Sequence, residues 1–274
     1  NTLPHKPNHS SMAVVLVGRI VDVRHESWQS MPPSVKAAIR QGLWHNFTHE
    51  TDPELVRKLS HAVARASEGW ADLVAASIGL LGSTNDQARQ VGVFFLLEQM
   101  SEYSDELKSD PARLLPVFQA ALLDGMALPV RCAALKALFS LLTHMETMAA
   151  VTNGGTSSTK GGKGSPVEGL LPLAGVAVGS VGRVLEGYGQ GQMPANEVQK
   201  VLELLADTME VASKFFTAQM EGILQLMMAL GAKEGRKAGE GKDEEEEATL
   251  LGLKCAAVEV LLVCCKECPG TVRK

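Results

Sequence analysis

Pairs of short apolar helices separated by turn residues recur along this chain, and that recurrence constrains the fold more than any other feature. The stretch LLPVFQAALLDGMALPVRCAALKALFSLL, residues 114–142, has an apolar helical stripe, a turn at Asp124-Gly125-Met126, and an alanine-rich second stripe starting near Pro129. Glycine loosens the backbone and proline removes a hydrogen-bond donor, which disfavours one continuous helix. The stretch therefore predicts two helices joined by a tight turn.

The same plan recurs on both sides of this stretch. Residues 33–66 and 70–99 each hold an apolar helix, a turn, and a second helix whose start is marked by Arg57 or Arg89, as Arg131 marks it above. Two later pairs have longer inserts, and a lone second helix precedes all the pairs. These later segments are 166–186 with 195–212, 214–230 with 248–265, and the lone helix at 12–24. Helical pairs that recur at this spacing along a chain resemble HEAT repeats.

A helical hairpin with a wide apolar stripe cannot cover it alone, so neighbouring hairpins must stack and share one core. The sequence therefore predicts an all-α fold, a HEAT-repeat superhelix (solenoid) of about five hairpins plus a leading half repeat over residues 12–274. Residues 1–11 are predicted to be a polar tail. We also expect the marker arginines to meet acidic residues such as Asp86 or Asp124 in a ladder between repeats.

The composition agrees with closely packed helices. Hydrophobic residues make up 45% of the 274 residues and aromatic residues only 4%, whereas strands are enriched in aromatic and β-branched side chains. The formal net charge of -5 disfavours a phosphate-backbone binder, so no nucleic acid partner is expected. No membrane partner is expected either, because no run approaches the roughly 20 apolar residues of a membrane span.

The cysteines and the chain ends bear on the cellular context. Five cysteines, an odd count crowded towards one end, do not resemble a secreted disulfide framework and indicate a reducing compartment. The chain starts at Asn1 and ends at Lys274 within a helical pattern. We therefore expect it to be a piece of a longer chain.

Two segments interrupt the repeats. Residues 152–165 are rich in glycine and serine, and residues 232–247 are charged and interrupted by glycine, so both are predicted to be flexible insert loops. The second segment ends in the acidic run Asp243-Glu244-Glu245-Glu246-Glu247. One interpretation is a solvated run that complements the dipole of the next helix. The other is a protein-binding loop that clamps lysine-rich segments.

Three motifs invite a catalytic or metal-binding interpretation, and each lacks a required residue. Residues 162–164, Gly-Lys-Gly, lack the Ser or Thr of a phosphate-binding loop. Cys265 and Cys268 have CxxC spacing without two further zinc ligands nearby. His45 and His49 lack the glutamate that HExxH places directly after its first histidine. We therefore expect no enzyme, and no catalytic, cofactor-binding or metal-binding residues.

Several segments match a known repeat family in the same order along the chain. They are WQSMPPS at 28–34, VKAAI at 35–39, RK at 57–58, LADT at 205–208, MEGILQL at 220–226, GLKCAAVEVL at 252–261 and VRK at 272–274. In these segments the chain resembles the N-terminal HEAT-repeat portion of the importin-beta (karyopherin-beta) superfamily, nearest its beta-3 class. The resemblance spans roughly residues 13–274.

The resemblance implies a nuclear transport receptor that serves nucleocytoplasmic protein import and is found in both cytoplasm and nucleus. In that family a concave face grips basic protein cargo or the GTPase Ran, Ran binding releases cargo, and the outer helices contact phenylalanine-glycine repeats of nucleoporins. An acidic loop is also a family feature, which Asp243 to Glu247 would supply. The alternative is a generic HEAT-repeat scaffold subunit of another protein complex.

Overall fold

A computed structural model describes residues 9–21, 26–103, 107, 110–123, 125–153, 166–232 and 244–267. Every regular element in these residues is helical, which confirms the predicted all-α class. The chain divides into two units, Asn1–Ser109 and Asp110–Lys274. We call them unit 1 and unit 2.

Unit 1 contains six α-helices in its described part. They are α1 His9–Ile20, α2 Glu26–Gln29, α3 Pro33–His49, α4 Pro53–Arg65, α5 Leu73–Ser83 and α6 Gln87–Tyr103. Unit 2 contains α7 Leu115–Leu122, α8 Leu128–Asn153, α9 Ala174–Gly189, α10 Ala195–Val211, α11 Ser213–Phe216, α12 Met220–Gly231 and α13 Glu244–Glu267, with 3-10 segments at Pro111–Leu114, Pro166–Leu173 and Thr217–Gln219. The predicted pairs correspond to α3 with α4, α5 with α6, α7 with α8, α9 with α10, and α12 with α13. We call the members of each pair its first and second helix.

The turn residues act as the sequence predicts. Gly125 has a φ of 99°, a left-handed conformation that glycine adopts at little cost, and α8 begins three residues later at Leu128. Inside the second helix, the buried Arg131 donates from Nη2 to the carbonyl oxygen of Leu123 at 2.7 Å, next to the end of α7. This arginine therefore joins the two helices of its own pair across the turn. Asp124, one of the acidic residues expected in a ladder between repeats, lies outside the described residues.

The predicted arginine ladder takes a different form at Arg89. Its guanidinium lies 3.8 Å from Asp86, but that carboxylate belongs to the same helical pair, three residues earlier. The contact with the preceding pair is instead a hydrogen bond of 3.3 Å from Arg89 Nη2 to the carbonyl oxygen of Glu50, just after α3. Carbonyl groups at a helix end have no partner within the helix, so they can accept this bond.

In unit 1 the second helices α4 and α6 approach each other very closely. The absence of a side chain at Gly92 permits this, because a Cβ there would lie 2.2 Å from Val56 Cγ1. The buried Ser60 hydroxyl donates to the carbonyl oxygens of Val56 at 2.8 Å and of Gly92 at 3.0 Å. On its other side α4 packs against α1, where a Cβ on Gly18 would lie 3.7 Å from Ala62 Cβ. Small residues thus set the spacing of α1, α4 and α6.

All three tryptophans of the chain lie in unit 1. The guanidinium carbon of Arg40 is 5.6 Å from the ring centroid of Trp28 and 5.8 Å from that of Trp70. Arg40 also donates to the carbonyl oxygens of Ala66, at 2.9 Å, and Glu68. Burial lowers the pKa of Arg40, while the Glu68 carboxylate opposes that shift. This cation between two aromatic rings ties α3 to the segment that follows α4.

In unit 2 the second helices α8 and α10 run in the same direction. Lys136 of α8 forms an ion pair of 2.7 Å with Glu197 near the start of α10. Further along both helices, Thr143 Oγ1 lies 3.0 Å from Thr208 Oγ1. Residues further along α8 contact residues further along α10, so the two helices are parallel neighbours.

Helices α10 and α13 continue this row. A Cβ on Gly252 of α13 would lie 2.8 Å from Gln199 Oε1 near the start of α10. Towards the other end, Lys266 Nζ is 3.6 Å from Glu210 Oε1. The second helices of unit 2 therefore form one parallel row, α8 to α10 to α13.

The first helices α9 and α12 form a matching contact. A Cβ on Gly175 would lie 3.6 Å from Gln219 Nε2 just before α12, and one on Gly182 would lie 3.3 Å from Leu226 Cδ2. These contacts also advance in step, so α9 and α12 are parallel. Helix α7 contacts α9 on its other side. Unit 2 thus holds a row of first helices beside a row of second helices.

Several predicted boundaries differ from the structure. Residues 9–11, assigned to a polar tail, are helical because α1 begins at His9. Residues 152 and 153 end α8, and Glu244 to Glu247 begin α13, although both sets were predicted to be in loops. Ala232 is a turn residue, and the remainder of both predicted loops lies outside the described residues.

We expect Gly92→Ala to destabilise unit 1 by about 1 to 3 kcal/mol, because the new methyl group collides with a β-branched side chain in a packed core. Urea unfolding followed by tryptophan fluorescence measures this, since every tryptophan lies in unit 1. Val56→Ala in the Gly92→Ala background should recover part of the loss. Gly79→Ala is the matched control: it lies in α5 with nothing within 4 Å and should stabilise by up to about 1 kcal/mol.

Candidate protein-binding surfaces

The predicted acidic site lies at the start of the last described helix. Glu244, Glu245, Glu246 and Glu247 form the first turn of α13, while Asp243 lies outside the described residues. Acidic residues in a first turn interact favourably with the helix dipole. The position of the run at the start of α13 supports the interpretation that these glutamates complement the helix dipole. Their role in binding lysine-rich segments stays a hypothesis.

A second acidic surface, which the sequence analysis missed, lies on α10. Glu203, Asp207 and Glu210 are spaced four and three residues apart on this helix, and Asp207 and Glu210 are exposed. Residues at this spacing share one side of an α-helix. These periodic carboxylates on one side of an amphipathic helix are a signal that the sequence carries, in addition to the continuous run at 243–247.

The neighbouring carboxylates have different local roles. Glu203 accepts a hydrogen bond of 2.9 Å from Gln199 Nε2 on the same helix. Glu210 points towards α13, where it meets Lys266. Asp207 lies one turn before Val211 and therefore on the same side of α10.

An open groove of about 430 Å³ lies between the C-terminal parts of α8 and α10. We call it the α8–α10 groove; it is lined by Glu146, Thr147, Ala149, Ala150 and Val211. Its wall is mainly apolar, with one carboxylate, and Asp207 lies next to it along α10. Lysine has an apolar stem and a charged end, so this mixture of surfaces suits it.

One exposed lysine lies close to the groove along the chain, Lys214, three residues after Val211. Lys200 is exposed towards the start of α10, about two turns before Asp207. Lys136 of α8 is engaged by Glu197, and Lys266 of α13 is engaged by Glu210. On α10 itself the side next to the groove carries Asp207, which favours a cationic ligand, whereas Lys214 just beyond the helix opposes it.

Unit 1 presents a surface of the opposite charge. Arg57, His61 and Arg65 are spaced four residues apart on α4 and share one side of the helix, where the two arginines supply positive charge. The Arg57 guanidinium carbon is 5.2 Å from the centroid of the Phe95 ring, and the His61 ring meets the same ring edge-on at 4.6 Å. We call this set of four residues the α4 stripe.

The α4 stripe changes the protonation of its histidine. Burial lowers the pKa of His61 below its ordinary value of 6.5, and the positive charges of Arg65 and Arg57 lower it further. A hydrogen bond with Gln99 opposes this shift. His61 is therefore harder to protonate in the folded chain than in the unfolded chain.

The described residues of the histidine pair and of the CxxC motif have exposed side chains: His45, His49 and Cys265. The rings of His45 and His49 are 4.3 Å apart, and His49 Nδ1 lies 2.8 Å from the carbonyl oxygen of His45. Cys265 is exposed at the end of α13, and Cys268 lies outside the described residues. In the described part of the chain, no group of three or more His, Cys, Asp or Glu side chains is placed to hold a metal ion.

Within the described residues, two helical segments are long and apolar enough to cross a membrane, contrary to the prediction that no run approaches that length. Val167–Gly189 has a mean hydropathy of 1.3 and Ala248–Glu267 one of 2.0. Half of the first window and 33% of the second are buried in protein. Core helices of soluble proteins pass the same test, so the expected lack of a membrane partner stays a prediction.

Comparisons with family models, with curated proteins and with solved structures gave no match for this chain. The resemblance to the importin-beta superfamily therefore depends on the sequence segments given above. Its functional implications stay predictions.

The stability of unit 1 should decrease as the pH falls below about 6.5, because the unfolded chain protonates His61 before the folded chain does. The decrease should level off once the pH is below the lowered pKa of the folded state. His61→Gln should remove this part of the pH dependence, as measured by urea unfolding with tryptophan fluorescence. His49→Gln, which alters an exposed histidine outside the stripe, should retain it; equal slopes in the two variants would contradict the assignment.

Proposed function

We propose that this chain is part of a nuclear transport receptor of the importin-beta type, which binds protein cargo and the GTPase Ran in nucleocytoplasmic protein import. The observation that carries the proposal is the α8–α10 groove and its acidic border, because the resemblance implies that such receptors grip basic cargo. The residues that we assign to cargo binding are Glu146 and Asp207, with Val211 as apolar wall.

The helix arrangement within each unit supports this proposal. Parallel neighbours α8, α10 and α13 present side chains from equivalent positions of successive pairs, as HEAT repeats require of a binding row. A cargo segment lying across the row would meet acidic groups from α8 and α10 in succession. The HEAT-repeat superhelix over residues 12–274 is the architecture that we propose for the whole chain.

The chemistry of the groove favours lysine-rich cargo. A lysine stem can cover Ala149, Ala150 and Val211 while its ammonium group approaches a carboxylate at the groove border. Each such pair is partly exposed, so a single pair contributes modestly and several must act together. Binding should therefore depend on the number of lysines and weaken as salt rises.

The acidic turn of α13 is a second candidate for the same ligand. Glu244 to Glu247 add negative charge to unit 2. Long-range attraction of a basic segment would raise its association rate more than its final affinity. Nucleoporin phenylalanine-glycine repeats and Ran are assigned to the receptor as a whole, without individual contact residues.

We expect Glu146→Gln with Asp207→Asn to reduce affinity for a fluorescent lysine-rich peptide about fivefold to tenfold at low salt, as two partly exposed charge pairs of up to about 1 kcal/mol each are lost. Fluorescence anisotropy measures the affinity. Glu221→Gln removes an exposed carboxylate of α12 away from the groove and should leave affinity unchanged. An unchanged affinity in the double variant would remove the groove assignment, and changing Asp243 to Glu247 into serines tests the α13 turn separately.

The receptor proposal also predicts capture of Ran loaded with GTP and little capture of Ran loaded with GDP. A pulldown with the two nucleotide states checks this, and added Ran–GTP should release the bound lysine-rich peptide. Peptide binding without any nucleotide-dependent capture by the protein would favour the alternative, a generic HEAT-repeat scaffold of another complex.

A further inference from the structure

Helix α13 carries two apolar stripes on different sides. One stripe is buried within unit 2, where α13 packs against α10 and α12; its members are Leu253, Ala256, Ala257, Val260, Val263 and Cys264. The other is exposed and consists of Leu251, Cys255, Val258, Leu262 and Cys265. We call this second set the α13 seam.

The spacing within the α13 seam specifies what can cover it. Its residues follow one another at intervals of four, three, four and three, which is the pattern of positions a and d in a coiled coil. The seam extends over about 21 Å of helix. Leu251 and Leu262 are each 62% exposed and Val258 is 52% exposed. A contiguous apolar stripe with this period is matched by another α-helix, whose side chains can enter the spaces between its own.

Charged residues beside the seam indicate which helix this is. Lys254 precedes the a position at Cys255 and therefore occupies position g, while Glu259 follows the d position at Val258 and occupies position e. In a parallel pair of helices, position g of one helix faces the following position e of the other. Lys254 of one copy would thus face Glu259 of a second copy, and the two-fold symmetry would form this pair twice.

We propose that the α13 seam binds the same seam of a second copy of this chain in a parallel, two-fold symmetric dimer. An antiparallel pair would bring g against g and e against e, so Lys254 and Glu259 would not meet. Because α13 is already ordered by packing within unit 2, association does not have to pay for folding the helix.

The parallel arrangement has one electrostatic cost. It brings the acidic first turns of the two α13 helices side by side, and these like charges repel. The first turn lies before Leu251 and therefore outside the apolar contact of the seam. Because these charges are not enclosed by that contact, salt screens the repulsion between them. Lys266, the remaining basic residue next to the seam, is held by Glu210 of its own chain. The apolar contact and the Lys254–Glu259 pairs then decide the partner and its orientation.

Sedimentation velocity of the 274-residue chain over a wide concentration range at physiological salt tests the proposal. We expect a monomer–dimer equilibrium. Leu251→Gln with Leu262→Gln should raise the dissociation constant at least about tenfold, while circular dichroism stays unchanged because both side chains are exposed. Met228→Gln removes an equally exposed apolar side chain from α12 and should leave the dimer intact.

Charge exchange tests the orientation. Lys254→Glu and Glu259→Lys should each weaken the dimer, and the two changes together should restore it, because the pair is re-formed with its charges reversed. A chain that is monomeric at every concentration overturns the proposal. So does a dimer that survives the two leucine changes, a combined charge exchange that restores nothing, or seam-dependent binding of monomers to neutral phosphatidylcholine vesicles.

Discussion

Close contact between second helices of successive pairs is the constraint on which the structure depends. In unit 1 the missing side chain of Gly92 lets α4 and α6 approach until a serine hydroxyl bridges their backbones. In unit 2 the same kind of approach occurs at Gly252, beside Gln199. In unit 1 α4 contacts both α1 and α6, and in unit 2 α10 contacts both α8 and α13, so within each unit the apolar face of one pair is completed by its neighbours. Stability is therefore shared along the row rather than contained in any one hairpin.

Local sequence signals predicted the helical pairs well, since apolar periodicity and turn residues act within a few positions of each other. Asp52 illustrates this: its side chain accepts hydrogen bonds from the backbone of Glu54 and Leu55, and Pro53 follows it directly, so α4 starts there. The placement of Arg40 between Trp28 and Trp70 could not be predicted, because it depends on the register between α3 and segments far away in sequence. The α8–α10 groove has the same origin. Its acidic border on α10 was readable from local spacing, but its apolar wall was not.

Local surfaces of the two units carry charge of opposite sign, although the formal net charge of the chain is -5. Unit 1 displays an aromatic and cationic stripe on α4, whereas unit 2 displays carboxylates on α10 and in the first turn of α13. Electrostatic complementarity governs partner choice and association rate more than total affinity. Partners of opposite charge are therefore expected to prefer different surfaces of this chain.

The distribution of two residue types gives each unit its own natural reporter. Tryptophan occurs only in unit 1, while Cys132 and Cys264 are buried in α8 and α13 of unit 2. A thiol reagent can modify these two side chains only after unit 2 opens, whereas emission from the indole rings senses unit 1. The intact, unlabelled chain thus allows the opening rates of the two units to be compared, and equal rates would indicate that the two units open together.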